Sequence, residues 1–321
     1  MTDGDARLAW RIFNLNWIPI GALGAVLLAA VVLTDFSIEP VAFGVTSGIA
    51  LVLALIAYSP RFAEFDQAGA RLVLMSGSMA QIIQVTSIGG PLTYVALAAG
   101  WPLQDFTLAA LDRGMGFDSR SVILFVNDHP MLSNALTLGY VMIKWPLLVI
   151  PIVLALTRRF IRLQQFVMAL TVAMMITIAI SVFAPAIGNY QSLGLTAAEV
   201  PNVNMIPFLH LQHDIPQVRN GSLRYLELYK LAGVVAFPSF HAVCAVLFAW
   251  AFAPVRGWGP AALMLNGLML ASTPVLGGHY LIDVVGGIAL AIASIAFARW
   301  LSEHQALRTA TMAPVFAVPA E

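Results

Sequence analysis

Eight stretches of this chain are apolar enough to cross a bilayer, which takes roughly 20 mostly apolar residues per helix. They lie at about 17–34, 41–58, 71–98, 132–156, 164–185, 238–254, 260–276 and 280–300. So many apolar runs leave little for a soluble surface, and the expected fold is all-α and polytopic. Composition agrees: the 321 residues are 60% hydrophobic and 10% charged, with mean hydropathy +0.86. The formal net charge is zero and no nucleic-acid motif occurs, so no nucleic-acid partner is expected. One cysteine, Cys244, excludes an intramolecular disulfide framework and a multi-cysteine metal site. Asp3, Asp5, Arg7 and Arg11 precede the first run, which lacks a suitably placed small-residue cleavage site, so that helix is expected to be retained. "GGP" at 89–91, and Pro146 with Pro151, predict kinks or early ends in the third and fourth spans.

With the N-terminus placed in the cytoplasm, the inside segments hold Arg7, Arg11, Arg61, Arg71, Arg158, Arg159, Arg162, Arg256, Arg299 and Arg308. These are ten of the sixteen basic residues. The positive-inside rule is satisfied along all eight helices, with both termini cytoplasmic. Two long outer segments result, about 99–131 and 186–237, and segments of that length usually carry function. The first has apolar positions at helical spacing and reads as an interfacial amphipathic helix. Five of the six histidines fall on the outer side, and no internal repeat is visible.

Ionisable groups within a bilayer are costly and mark function by default. Two spans hold one at depth, Lys144 in the fourth and Asp283 in the eighth. In "LGGHYLIDVVGG" (276–287), Asp283 follows His279 by four residues, which sets both on one helical face. A carboxylate there can accept the imidazole N–H, fix its tautomer and leave the other nitrogen as nucleophile or base. The bland alternative is a pair that closes a helix start. "GVVAFPSFHAV" places Pro238 in the first turn of the sixth span, followed by Ser239 and His241. Two helix N-termini at one membrane face form a pocket for an anion such as phosphate. Taken alone, His241 reads equally as an interfacial capping residue and Ser239 as a helix cap.

Pro238-Ser239-Phe240-His241 resembles the Pro-Ser-Gly-His motif of the type 2 phosphatidic acid phosphatase superfamily. "STPVLGGHYLID", Ser272 to Asp283, is similar to its Ser-Arg-x5-His-x3-Asp motif, and 37 residues separate the two histidines. The resemblance covers about 71–300. Its closer likeness is to the inositol phosphorylceramide synthase-like branch and its bacterial relatives, through "LDRGMGFD" (111–118), "APAIGNY", "VRNGSLRYLELYKLAGVVAFPSFHAV" and "GGHYLIDVVGG". It implies a six-helix catalytic membrane domain at 71–300, two extra helices within 1–70 and a cytoplasmic tail at 301–321. It also implies attack on phosphorus by His279, orientation by Asp283, protonation of the leaving oxygen by His241, and phosphate contacts from Ser239 and Ser272. No metal and no cofactor are implied. The expected partners are a phosphorylated membrane lipid and, for a transferase, an alcohol acceptor. The site would lie on the non-cytoplasmic side.

Two departures stand out. Thr273 occupies the position of the motif arginine, and the Lys-x6-Arg-Pro motif is absent. Phosphoryl transfer needs cations for the equatorial oxygens. Arg219 and Arg224 are the favoured replacements, followed by Lys230 and Arg113, although each also reads as a solvated loop charge or headgroup contact. Lys144 lies mid-span and reads as a residue that snorkels or lines a polar cavity, not as a catalytic one. His129, His210 and His213 are expected to be structural or substrate-contacting, and Asp112 to pair with Arg113 or cap the interfacial helix. The competing classes are a catalytically inactive superfamily member, a lipid-binding or transport protein, and an intramembrane serine protease using Ser239. A transporter predicts inverted repeats, and a serine protease a Gly-x-Ser-Gly-like setting, but Ser239 is flanked by Pro238 and Phe240.

Overall fold

A computed structural model describes residues 3–59 and 67–311; Arg61 and the tail at 312–321 lie outside the described residues. The chain is a multi-pass helical membrane protein. Among the described residues six helices are long and apolar enough to cross a bilayer: α1 (Asp3–Leu33), α2 (Pro40–Ala57), α3 (Gln67–Ala98), α8 (Phe160–Phe183), α12 (Gly259–Leu276) and α13 (Leu281–Thr311). Helices α6 (Pro130–Val141) and α7 (Lys144–Leu156) are long and apolar enough only as a pair, which is bent by 57° at the break between them. The eighth apolar segment is α11 (Phe240–Phe252). Its 13 residues span about 20 Å, short of a hydrocarbon core. It stands inside the bundle, with residues such as Ala242, Cys244, Leu247 and Phe248 fully buried against protein.

The bend between α6 and α7 follows from Pro146. A proline has no N–H and its ring clashes with the carbonyl four residues back, here that of Met142. The α-helical ladder therefore stops at Met142, and Trp145 N–H donates to the Met142 carbonyl instead, at 3.2 Å. Pro146 itself sits harmlessly in the first turn of α7. The break expected at "GGP" in the third span does not occur: α3 runs through Pro91 to Ala98. Packing against α1 and α8 holds it together, and Thr93 Oγ1 donates to the Gly90 carbonyl at 2.7 Å.

At the centre of the bundle α8 packs against α1, α3, α7, α11 and α13. A buried polar cluster ties the first helix to this core. Asn16 donates to the side-chain oxygens of Gln81 (3.3 Å) and Gln164 (3.2 Å), and Gln164 to the Ser78 hydroxyl (2.9 Å). Such groups stay buried because they satisfy one another.

The two long connections are ordered. The first holds two short helices, α4 (Asp105–Gly114) and α5 (Ser119–Asn127), where a single amphipathic helix was expected; Gly116, at φ +74°, turns the chain between them. The second holds α9 (Asn189–Leu193), α10 (Ile206–Asn220) and a short strand β2 (Tyr225–Leu226), which pairs in parallel with β1 (Ser37–Ile38). Residues 231–239 then lead into α11 without helical structure.

Candidate active site

The last helix begins at Leu281, within a residue of the apolar run that predicted it. His279 and Tyr280 precede α13, and Asp283 lies in its first turn. Gly278, at φ +67°, turns the chain there, a backbone conformation that side-chain-bearing residues rarely adopt. His279 Nδ1 lies 3.2 Å from Asp283 Oδ2, which also accepts the Tyr280 N–H at 2.9 Å. Both side chains are buried, His279 at 5% exposed and Asp283 at 0%. With Nδ1 directed at the carboxylate, Nε2 is left for chemistry.

His241 is in the first turn of α11, whose N-cap is Ser239. Pro238 precedes the cap, joined to Phe237 by a cis peptide bond, so it stands outside the helix where the first turn was expected. Ser239 Oγ accepts the Ala242 N–H at 3.4 Å. The His241 ring stacks on Tyr140 with centroids 4.1 Å apart. The two motifs are joined directly, because Ser239 N–H donates to the Asp283 carbonyl at 3.0 Å. Gly287 permits this approach: a Cβ there would collide with the Ser239 carbonyl oxygen.

His241 and His279 line one cavity of about 440 Å³. Its other walls come from α3 (Thr86, Gly89, Gly90, Thr93), from α8, from the segment 231–235, and from the α6–α7 break at Tyr140, Val141, Ile143 and Lys144. The walls are mainly apolar. Lys144 is thus a cavity residue, and the bend below Tyr140 is what sets it there.

The turn that carries His279 is held from outside by α4 and α9. Asp112, 3% exposed, accepts the N–H groups of Leu281 (2.8 Å) and Ile282 (3.0 Å), so it caps α13 and neither pairs with Arg113 nor caps its own helix. Asn189 Nδ2 donates to the carbonyls of Pro274 (2.9 Å) and His279 (2.8 Å), and Tyr190 Oη to that of Val275 (2.6 Å). Asp105 accepts the Gly188 N–H at 2.8 Å and the Tyr280 hydroxyl at 3.0 Å. Burial, and then the neighbouring Asp105 carboxylate, push the Tyr280 phenol above the ordinary tyrosine range, so it stays a proton donor. The segments "LDRGMGFD" and "GNY" owe their place to these contacts.

The expected phosphate ligands are placed elsewhere. Ser272 is fully buried and donates to the Met269 carbonyl at 2.7 Å; Thr273 does the same at 2.8 Å. Neither they nor Ser239 line the cavity. Arg219 donates to the carbonyls of Trp101 (2.8 Å) and Gly100 (3.4 Å). Arg224 donates to that of Val218 (2.7 Å), pairs with Asp35 (3.4 Å) and covers the Phe36 ring. Lys230 pairs with Glu227 at 2.8 Å on an adjoining cavity of about 600 Å³, which His210 and His213 also line. Arg113 lines a separate cavity of about 250 Å³ beside Asp112 and Tyr280. Backbone carbonyls and carboxylates hold Arg219, Arg224 and Lys230, and none of the four basic residues lines the histidine cavity. His129 lies against the Phe125 carbonyl at 2.7 Å at the start of α6. Among the described residues no group of three or more His, Cys, Asp or Glu is arranged to hold a metal ion.

These features define a class: a multi-pass helical membrane protein with two histidines on one cavity, one of them paired with a buried aspartate. The chain belongs to the PAP2 superfamily, whose family model matches residues 106–297, well over half of its length. Membership supports a phosphatase-type activity in general. No curated protein matches the chain. No solved structure matches it either.

Proposed function

We propose that the protein is an integral membrane lipid phosphatase or phosphotransferase that works through a phosphohistidine. The observation that carries this reading is the shared cavity of His279, backed by Asp283, and His241. His279 Nε2 attacks the phosphorus of a phosphate ester. The N–P bond forms, the P–O bond to the leaving alcohol breaks, and the proton on His241 goes to the leaving oxygen. Asp283 holds the proton on Nδ1 and balances the positive charge of the phosphorylated ring. His241, now neutral, takes a proton from water or an acceptor alcohol, whose oxygen attacks phosphorus as the N–P bond breaks. The unpaired N–H groups in the first turn of α11 offer contacts for phosphate oxygens.

A lipid substrate is favoured by the apolar walls, among them Val141, Met174, Leu211, Val235 and Phe240. The distribution of arginines favours a site on the non-cytoplasmic side with both termini inside. We assign the catalytic domain to residues 71–300, with two additional helices before it. The likeness of "LDRGMGFD" and "GNY" to the inositol phosphorylceramide synthase-like branch favours transfer to an alcohol over hydrolysis. Purified protein incubated with phosphatidic acid should release diacylglycerol and phosphate, or, with a polyol present, diacylglycerol and the polyol's phosphomonoester. An acid-labile phosphoenzyme should accompany turnover. If His279→Ala turned over phosphatidic acid like the unaltered protein, the mechanism would be wrong; if neither protein turned over, an inactive superfamily member would be the better reading.

A further inference from the structure

The position of the motif arginine is filled by Thr273, whose hydroxyl is bonded to the Met269 carbonyl. A transferring phosphoryl group still needs positive charge at its equatorial oxygens. Among the described residues lining the histidine cavity, no side chain is a carboxylate and one is a lysine or arginine, Lys144. It makes no hydrogen bond and no ion pair with any described residue. An ammonium in an apolar crossing without a counter-ion is costly, and a dianionic ligand would remove that cost.

Geometry points the same way. Lys144 and Tyr140 lie on either side of the α6–α7 break and line the same cavity as the two histidines, and the Tyr140 ring lies on His241. Lys144 also opens α7, so the positive end of that helix dipole adds to its charge. A second polar group waits in the same cavity: the Thr177 hydroxyl is fully buried and has no hydrogen-bond partner among the described residues. Buried hydroxyls are rarely left so unless a ligand or water completes them.

We infer that Lys144 binds the phosphate in the cavity of His241 and His279, in place of the absent motif arginine. This rests on the phosphoryl-transfer reading for its catalytic meaning, but the anion site itself does not depend on turnover. The test uses the full chain in detergent micelles, with inorganic phosphate as probe and phosphatidic acid as substrate. Lys144→Met should weaken phosphate binding at least about tenfold, the size expected for one charge-assisted hydrogen bond. It should lower kcat/KM about a hundredfold. Lys144→Arg should restore most of both, which a purely structural role would not require. Unchanged phosphate binding in Lys144→Met overturns the inference, even if activity falls. Phosphate binding that is lost with Lys144 in a protein that never turns over supports the anion site and sinks the enzymatic reading instead. An unaltered protein that binds no phosphate overturns the inference outright.

Discussion

The two histidines are held in opposite ways. His279 sits in a turn fixed by hydrogen bonds from three directions: Asp283 to its ring, Asn189 to its carbonyl, and Asp112 to the two N–H groups that follow Tyr280. The His241 ring is oriented by a stacking contact with Tyr140 and by the cap of its own helix. The difference matches the chemistry each would perform. A nucleophile needs one tautomer and one direction of attack, which a carboxylate and a rigid turn supply. An acid that later acts as a base must release a proton and regain it, and a stacking contact leaves both ring nitrogens open to that exchange.

The comparison breaks most visibly on the histidines themselves. His279→Ala should abolish turnover of every phosphate ester, a loss of about 10³-fold or more. His241→Ala should cost about 10²–10⁴-fold with a lipid phosphate, yet much less with p-nitrophenyl phosphate, whose leaving group needs no proton. Steady-state rates on the two substrates separate the roles. If His241→Ala were equally damaged on both, the division between nucleophile and acid would be wrong.

Next in size is the turn. Asp112→Ala removes a buried carboxylate that accepts two backbone N–H groups, and should destabilise the protein by about 3 kcal/mol. Thermal unfolding in detergent should register this, together with a drop in kcat for every substrate. On the other side, Tyr140→Leu should leave the melting temperature nearly unchanged and lower the rate by roughly tenfold or less. A stacked ring pair contributes only about 0.5–1.5 kcal/mol. A larger rate loss would mean that Tyr140 also touches the substrate.

Much of this was legible in the sequence. Where eight spans were expected, the apolar runs correspond to six long helices, the bent pair α6–α7 and the shorter α11, and the His-x3-Asp spacing foretold the 3.2 Å contact of His279 with Asp283. What stayed hidden depends on contacts between residues far apart in the chain. Asp112 lies 169 residues from the N–H it caps in Leu281, and no local pattern announces that. Lys144 did carry a signal, since an ionisable residue without a partner in an apolar run points to function. Its place in the middle of the fourth span reads as that of a residue that snorkels or lines a polar cavity, and it lines one. Pro146 breaks that helix at Met142, and the bend admits the cavity to its side. Short sequence distance to His241 likewise says nothing of the carbonyls at Trp101 and Val218 that hold Arg219 and Arg224.

The smallest expected effect isolates local from distant capping. Asp118 is the exposed counterpart of Asp112: its carboxylate accepts the N–H groups of Arg120 (3.0 Å) and Ser121 (3.3 Å) and caps its own helix α5. The Ser121 hydroxyl and then its backbone N–H hold the Asp118 carboxyl below the ordinary range. A depressed pKa in the folded state means that the stabilisation is complete above the unfolded value of about 3.9. It fades as pH falls through the lower, folded value. Asp118→Ala should therefore melt slightly below the unaltered protein at neutral pH, with the gap closing under about pH 4. Because α5 does not touch the histidine turn through this cap, phosphate release should be unchanged. Loss of activity in Asp118→Ala would show that the two ends of "DRGMGFD" act as one unit, and that the His279 turn depends on more than its buried carboxylate.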